Sequence, residues 1–397
     1  MTGNSKNIKD RKDRSSKRAG RYIRLGVVIG LLLVGGCSMV ADVTTNLTDA
    51  VFSRPQQVVK KIHNPVKDDV RFSVLWIGHA STLIQIEDKV ILLDPVFEDV
   101  IASLMLRKVE AGINIEDISK LDLVLISHAH MDHLSLPTLK DLDKRFPKAS
   151  VVFPQGVEQY MPSLNMNMVR MKTGNSKKKG YVGETKVIDG VKVTTVFANH
   201  VGGRYVMDSY VWFEPGATGY IIEYKGITVF FAGDTVYDKE AYKELGKKFD
   251  VNLAILPIGP CIDCEALDFG YHMGSFGAMN LLDDINADYM LPVHYGSSTY
   301  GSDPDLPVKT LVYLIEQYPK ETVTGIVWTR SYDQKILILD EGEQFIFDNE
   351  EFIEVETISQ SENTDTLSIE QQSDTLKKIL NDEEKEIEKN PVLQEEK

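Results

Sequence analysis

The sequence predicts an α/β fold in which sheets pack together and helices lie outside them. Three observations carry that expectation. Apolar runs of strand length recur from residue 72 to residue 258. Two of them, 121–126 and 252–258, are nearly continuous and so read as strands covered on both faces. Segments with helical apolar spacing, 136–146 and 238–249, alternate with these runs. With 43% hydrophobic and 26% charged residues, the 397-residue chain can bury a full core, which excludes a disordered, collagenous or coiled-coil protein.

The amino terminus stands apart. Residues 1–24 carry nine Lys/Arg and two Asp, and residues 25–34 are a short Leu/Val/Ile/Gly run. That run is about half the roughly 20 apolar residues a spanning helix needs, so it reads as the core of a signal peptide. It ends in Leu33-Val34-Gly35-Gly36-Cys37-Ser38, which resembles the bacterial lipobox. The resemblance implies a signal peptide over 1–36, lipidation of Cys37, and a membrane-anchored lipoprotein of the cell envelope facing outside the cytoplasm. An uncleaved anchor is the alternative. Residues 37–69 are polar and irregular, with Pro55 and Pro65, and are expected to form a tether. A single folded domain is expected over 70–356. Residues 357–397, with eleven acids against five Lys, are expected to form a disordered tail.

Within the domain, strands are expected at 72–77, 82–86, 90–93 and 121–126. Ser135 then caps a helix with Pro137 in its first turn and Leu136, Leu139, Leu142 and Phe146 on one face. The second half repeats the style, with strands at 192–198, 218–224, 227–231 and 252–258 and a helix at 238–249. The net charge of −15 argues against nucleic acid as a partner, because neutralising phosphates needs a basic face. Three Cys exclude a disulfide-stapled scaffold or an all-thiolate zinc site, whereas eight His invite a search for ligands.

That search ends at Ser127-His128-Ala129-His130-Met131-Asp132-His133, directly after a buried strand. Three imidazoles and a carboxylate would fill a core poorly, because burying them without partners costs free energy. On a loop at a strand end they can converge on a cation, and imidazole with carboxylate suits zinc, iron or manganese. Four such ligands crowd one tetrahedral ion; two ions relieve the crowding and leave room for water. Further ligands stand at the ends of other apolar runs: His200 after Asn199, Asp234 after Gly233, and His294 after Val293.

This order resembles the metallo-β-lactamase superfamily, over roughly residues 71–340. The resemblance implies an αββα sandwich of two mixed sheets flanked by helices, with two divalent ions (zinc first, Mn2+ or Fe2+ as alternatives) at one edge. Matched to the family pattern, His128, His130 and His200 bind one ion, Asp132, His133 and His294 bind the other, and Asp234 bridges them. The text around the motif is narrower. Trp76-Ile77-Gly78-His79-Ala80-Ser81-Thr82, Leu93-Asp94-Pro95-Val96-Phe97, Leu256-Pro257-Ile258-Gly259, Tyr271-His272, His294-Tyr295-Gly296 and Leu306-Pro307-Val308-Lys309 resemble the branch that hydrolyses N-acyl-phosphatidylethanolamine. That branch implies a phosphodiesterase of the phospholipase D type, with a phospholipid or small phosphodiester as substrate. Asp132, Asp234 and His272 are then the expected catalytic residues, and His272 and His79 the expected substrate-binding ones. Ascorbate-phosphate lactonases are similar at Gly78-His79, so hydrolysis of a small phosphorylated metabolite or lactone is an alternative. A non-catalytic metal-binding surface lipoprotein is a third.

Several residues keep two readings. Asp94, at a strand end before Pro95, either orients a ligand imidazole or caps a turn. His79 either supports the ligands, lines the cleft or packs a turn. Cys261 and Cys264 read first as a local disulfide in an oxidising compartment, with two free thiols as the alternative. Head group, acyl chain and oligomeric state have no signature in the sequence.

Overall fold

A computed structural model describes residues 48, 52–58, 61–101, 105–174, 180–204, 208, 216–297, 303–317 and 336–347. Cys37 and the whole of 357–397 lie outside the described residues, as do the signal peptide and most of the region before Ser53. No helix among the described residues is long and apolar enough to cross a membrane.

The first sheet is built from β1 (Phe72–Gly78), β2 (Ser81–Ile86), β3 (Lys89–Leu93), β4 (Leu123–Leu125), β5 (Ser150–Pro154) and β6 (Asn167–Met171). The second takes β7 (Val182–Ile188), β8 (Val191–Val196), β9 (Gly219–Tyr224), β10 (Ile227–Phe231), β11 (Leu253–Pro257) and β12 (Tyr289–Val293). A late strand, β13 (Gln344–Ile346), returns to the first sheet, giving the orders β13-β1-β2-β3-β4-β5-β6 and β12-β11-β10-β9-β8-β7. Each sheet starts with antiparallel hairpins and ends with parallel strands: β3, β4, β5 and β6 in one, β10, β11 and β12 in the other. Parallel neighbours need crossovers. Helix α1 (Leu136–Arg145) supplies the one from β4 to β5, α2 (Lys239–Gly246) the one from β10 to β11, and α3 (Ser275–Ile285) the one from β11 to β12. Helix α4 (Leu306–Gln317) follows β12.

Alternation along the strands sorts side chains into layers. In β1, Val74 and Trp76 join a core shared with Val193, Tyr220, Ile222 and Val229 of the second sheet. Leu75 and Ile77, on the other face, pack with Val90, Leu92, Val124, Ile126 and with Leu139 and Leu142 of α1. Both faces of the first sheet are thus covered, which is why β4 reads as an unbroken apolar run. The architecture is the αββα sandwich that the resemblance implies.

The local signals hold at the helix starts. Ser135 caps α1, accepting from the Thr138 N–H, and Asp238 caps α2, accepting from Glu240 and Ala241. The tether expected over 37–69 needs correction at its carboxyl end. Gln56 bridges to Val109, Lys61 bonds Asn114 Oδ1 at 3.0 Å and pairs with Glu110 at 3.1 Å, and Ile62 and Val66 pack on the core. Two ladder hydrogen bonds, the Lys61 contacts and two apolar residues dock this polar stretch on the domain.

Candidate metal centre

Six strands of common direction within their sheets deliver the polar residues to one edge. Their carboxyl ends lead into His79 (β1), Asp94 (β3), His128 (β4), His200 (β8), Asp234 (β10) and His294 (β12). His79, Asp94 and His294 adopt left-handed backbone conformations, with φ of +56°, +39° and +65°. Such strain in non-glycine residues persists only where surrounding contacts impose it, and it collects at functional sites. The contacts are visible: the His79 carbonyl accepts from His294 N–H and from Trp76 Nε1, both at 2.9 Å. Gly233 (φ +60°) lets the Asp234 turn approach the motif loop, since a Cβ there would meet Ser127 Cβ at 2.6 Å. The Ser127 carbonyl accepts from Thr218 N–H at 3.0 Å, which ties the two sheets together at this point.

The side chains form two groups on either side of Asp234. In the first, His128 Nε2 lies 2.9 Å from His130 Nδ1, which lies 3.2 Å from His200 Nε2. In the second, His133 Nε2 is 3.1 Å from His294 Nε2, and Asp132 Oδ2 is 3.5 Å from His294 Nε2. Asp234 Oδ2 lies between them, 3.2 Å from His133, 3.2 Å from His294, 3.9 Å from His200 and 4.0 Å from His128, each measured to Nε2. All seven residues expected as ligands are therefore brought together.

The hydrogen bonds behind these rings assign their tautomers. His133 Nδ1 donates to Asp94 Oδ2 at 2.6 Å, and His200 Nδ1 donates to the Tyr271 carbonyl at 2.9 Å. Ser127 Oγ donates to Asp94 Oδ2 at 2.5 Å and so accepts from His128 Nδ1 at 2.9 Å. With the Nδ1 protons committed outward, Nε2 of His128, His133 and His200 turn lone pairs inward. Asp94 therefore orients His133 directly and His128 through Ser127, the kind of support that a metal-bound His commonly requires.

Divalent cations fit this donor set. Inward-facing lone pairs and carboxylates repel one another unless a positive centre lies among them, and Asp234 Oδ1 is buried with no hydrogen-bond partner. The electrostatics of the metal-free groups agree. Burial works against charge on Asp132 and Asp234, yet the surrounding imidazoles hold both carboxyls well below the usual range. Burial also opposes charge on His294, but Asp234 and Asp132 outweigh it and raise its pKa to about 9. Burial dominates at His200, lowering it to about 3. In the metal-free chain the proton on His294 thus stands where a cation would.

His272 stands beside Asp234 at the margin of the cluster. Its Nε2 is 3.3 Å from Asp234 Oδ2, its ring is 5.2 Å from His200 and 5.5 Å from His294, and at 27% its side chain is far more exposed than the 0–1% of His128, His133, His200 and His294. His79 is buried, with Nε2 donating to Asp132 Oδ2 at 3.0 Å, so its visible contact is to a candidate ligand. Burial and the nearby His294 lower its pKa to about 3, so it supports Asp132 as a neutral donor. Cys261 and Cys264 form a disulfide in the loop leading to His272. Sequence reasoning missed Arg204, whose Nη1 donates to the Ala129 and Leu134 carbonyls on either side of the motif. An arginine bonding to main-chain oxygens leaves no sequence pattern.

Residues 89–295, just over half of the chain, match the family model described as a beta-lactamase superfamily domain. Over 298 residues the chain is 24% identical to an N-acyl-phosphatidylethanolamine-hydrolyzing phospholipase D of Caenorhabditis elegans, covering 71% of this chain and 79% of that one. A mitochondrial protein of the same description from Saccharomyces cerevisiae is 24% identical over 61% of this chain but only 51% of its own length. A metal-dependent hydrolase of Pyrococcus furiosus is 29% identical over 58% of this chain and 88% of its own. Among solved structures, a possible metal-dependent hydrolase from Veillonella parvula superposes with a TM-score of 0.50 at 15% identity, covering 70% of this chain and all of that one, a likeness of fold alone. With the ligand geometry and the family match in agreement, the chain belongs to the metallo-β-lactamase superfamily of metal-dependent hydrolases.

Proposed function

We propose that the chain is a binuclear hydrolase that cleaves a phosphodiester of an N-acylated phospholipid. In this reading His128, His130 and His200 hold one zinc ion, Asp132, His133 and His294 the other, and Asp234 reaches both. The observation that carries it is the placement of Asp234 Oδ2, within 4.0 Å of Nε2 on both sides of the centre, beside a partly exposed His272. When bound, such a pair of ions supplies Lewis acidity and lowers the pKa of water toward neutrality. The side chains supply the rest. Asp132 and Asp234 accept hydrogen bonds from the attacking water and orient it, so no Ser or Cys nucleophile is required. His272, open to solvent, donates to a phosphoryl oxygen or protonates the leaving alkoxide.

The choice of lipid rests on the sequence likeness to the C. elegans and yeast phospholipases D, together with the lipobox-like Cys37. A lipid on Cys37 would hold the domain at a membrane surface of the cell envelope, beside its substrate. The test pairs metal analysis of the full chain with turnover across N-acyl-phosphatidylethanolamine, other phospholipids, a soluble phosphodiester and a lactone. About two zinc ions per chain and selective release of phosphatidic acid from the N-acylated lipid are expected. Faster turnover of the lactone or the soluble ester would replace the lipid reading. Full activity after exhaustive chelation would remove the metal from it.

A further inference from the structure

Arg204 lies four residues beyond His200 and takes no part in the ligand set. Its Nη1 donates to the Ala129 carbonyl at 2.9 Å and to the Leu134 carbonyl at 2.8 Å. These two carbonyls bracket His130-Met131-Asp132-His133, so one nitrogen ties both ends of the loop that carries three of the seven expected ligands. Inside the loop, His133 and Leu134 N–H both donate to the His130 carbonyl, at 3.1 and 2.8 Å, which closes the turn but fixes it to nothing outside. The arginine is anchored in turn. Its own N–H donates to Asp208 Oδ2 at 2.7 Å, and the same oxygen accepts from Tyr160 Oη at 2.6 Å. Asp208 is buried.

From this geometry we infer that Arg204 is a positioning residue for the metal motif. It holds the 129–134 loop against the segment that carries His200, so that His130, Asp132 and His133 meet the other ligands before any ion arrives. His130 Nδ1 and His200 Nε2, on the same two segments, already stand 3.2 Å apart. Hydrogen bonds to a permanent cation are stronger than neutral ones, and guanidinium does not titrate in the working range. A preorganised loop spares the binding step the cost of ordering it. The inference rests on the reading that the cluster binds divalent cations, and its test separates the two.

The test measures zinc affinity of the full chain by competition with a chromophoric chelator, after stripping, for wild type, Arg204→Met and Arg204→Lys. The Met variant should bind zinc about 10–100-fold more weakly, the usual effect of losing a group that orients ligands. The Lys variant should recover most of that loss, because a single nitrogen makes both hydrogen bonds and an ammonium can replace it. A purely architectural role would lower the melting temperature of the stripped Met protein and leave the affinity of the folded fraction unchanged, which overturns the inference. Equal weakness in Met and Lys also overturns it. Should Arg204→Met fail to fold, Tyr160→Phe loosens Asp208 without touching the motif: a smaller loss of affinity is expected, and an unchanged affinity overturns the inference. A wild-type chain that takes up no zinc overturns the metal reading itself.

Discussion

Asp94 Oδ2 accepts the Nδ1 proton of His133 at 2.6 Å, with both side chains fully buried. The same carboxylate takes the Ser127 N–H at 2.7 Å and the Ser127 hydroxyl at 2.5 Å, and that hydroxyl in turn orients His128. One carboxylate therefore sets the tautomer of an imidazole in each half of the centre. Asp94→Asn keeps the shape, but an amide placed to accept at one end must present its NH2 toward Ser127 or His133 at the other. Zinc affinity of the full chain should fall by about 10–100-fold with the fold retained. Chelator competition checks this, and an unchanged affinity would return Asp94 to the role of a turn cap.

Gly233 is the second point where backbone decides the site. Its φ of +60° disfavours a side chain, and an added Cβ would stand 2.6 Å from Ser127 Cβ. Gly233→Ala should destabilise the protein by about 1–3 kcal/mol, through left-handed backbone strain and overpacking together. It should also push Asp234 away from the motif loop, so both melting temperature and zinc affinity should drop. A stable variant with normal affinity would mean that the turn relaxes freely.

Much of this was legible because ligand residues stand at strand ends, where an apolar run stops at a His or Asp. Strand β10 was read to its last residue, 227–231, since both its faces are buried and Gly226 and Gly233 punctuate it. Strand β6 was missed: Asn167-Met168-Val169-Arg170-Met171 is an edge strand whose side chains are mostly exposed, so it lacks an apolar run. The docking of 53–58 and 61–66 was hidden for a similar reason, because two ladder hydrogen bonds and two apolar side chains leave no periodicity. His79 is visible in sequence as a histidine at a strand end, but the direction of its side chain is set by left-handed backbone that only the fold imposes.

The stripped protein should show a stability maximum near pH 6.5. In the metal-free chain, burial holds His79 and His200 near pKa 3 and His128 well below its ordinary value. The unfolded forms take protons as pH falls below about 6.5 while these folded imidazoles do not, so stability declines on the acid side. His294 behaves oppositely. Its pKa is raised to about 9 by Asp234 and Asp132, so its contribution is complete below about 6.5 and is lost as pH rises through 9. On the proposed reading zinc would displace the proton on His294, so binding near pH 7.5 should release protons and strengthen with pH. Thermal melts of chelated and zinc-loaded protein from pH 5 to 9 check the first point. Calorimetry in two buffers of different ionisation enthalpy checks the second. Binding without proton release would show that His294 is already neutral.

His272 separates substrate chemistry from metal binding. Its Nε2 is 3.3 Å from Asp234 Oδ2, yet neither donor group needs it, and its 27% exposure places it on the solvent side of the centre. Removing it should leave zinc content and melting temperature close to those of wild type. On the proposed reading it would supply a phosphodiester with a hydrogen bond to the phosphoryl group or a proton to the leaving oxygen, a contribution that would strengthen as charge develops in the transition state. Turnover by His272→Ala should therefore fall by about 10²–10⁴-fold, with a much smaller change in KM. His272→Gln distinguishes the two roles: a glutamine can donate a hydrogen bond but cannot deliver a proton. Partial recovery by Gln points to the hydrogen bond, whereas equal loss in both variants, with the alkaline limb of the pH–rate profile altered, points to proton transfer. Metal content, melting and kinetics belong on the same preparations. Full activity would reduce His272 to packing of its turn, and lost zinc would make it a ligand.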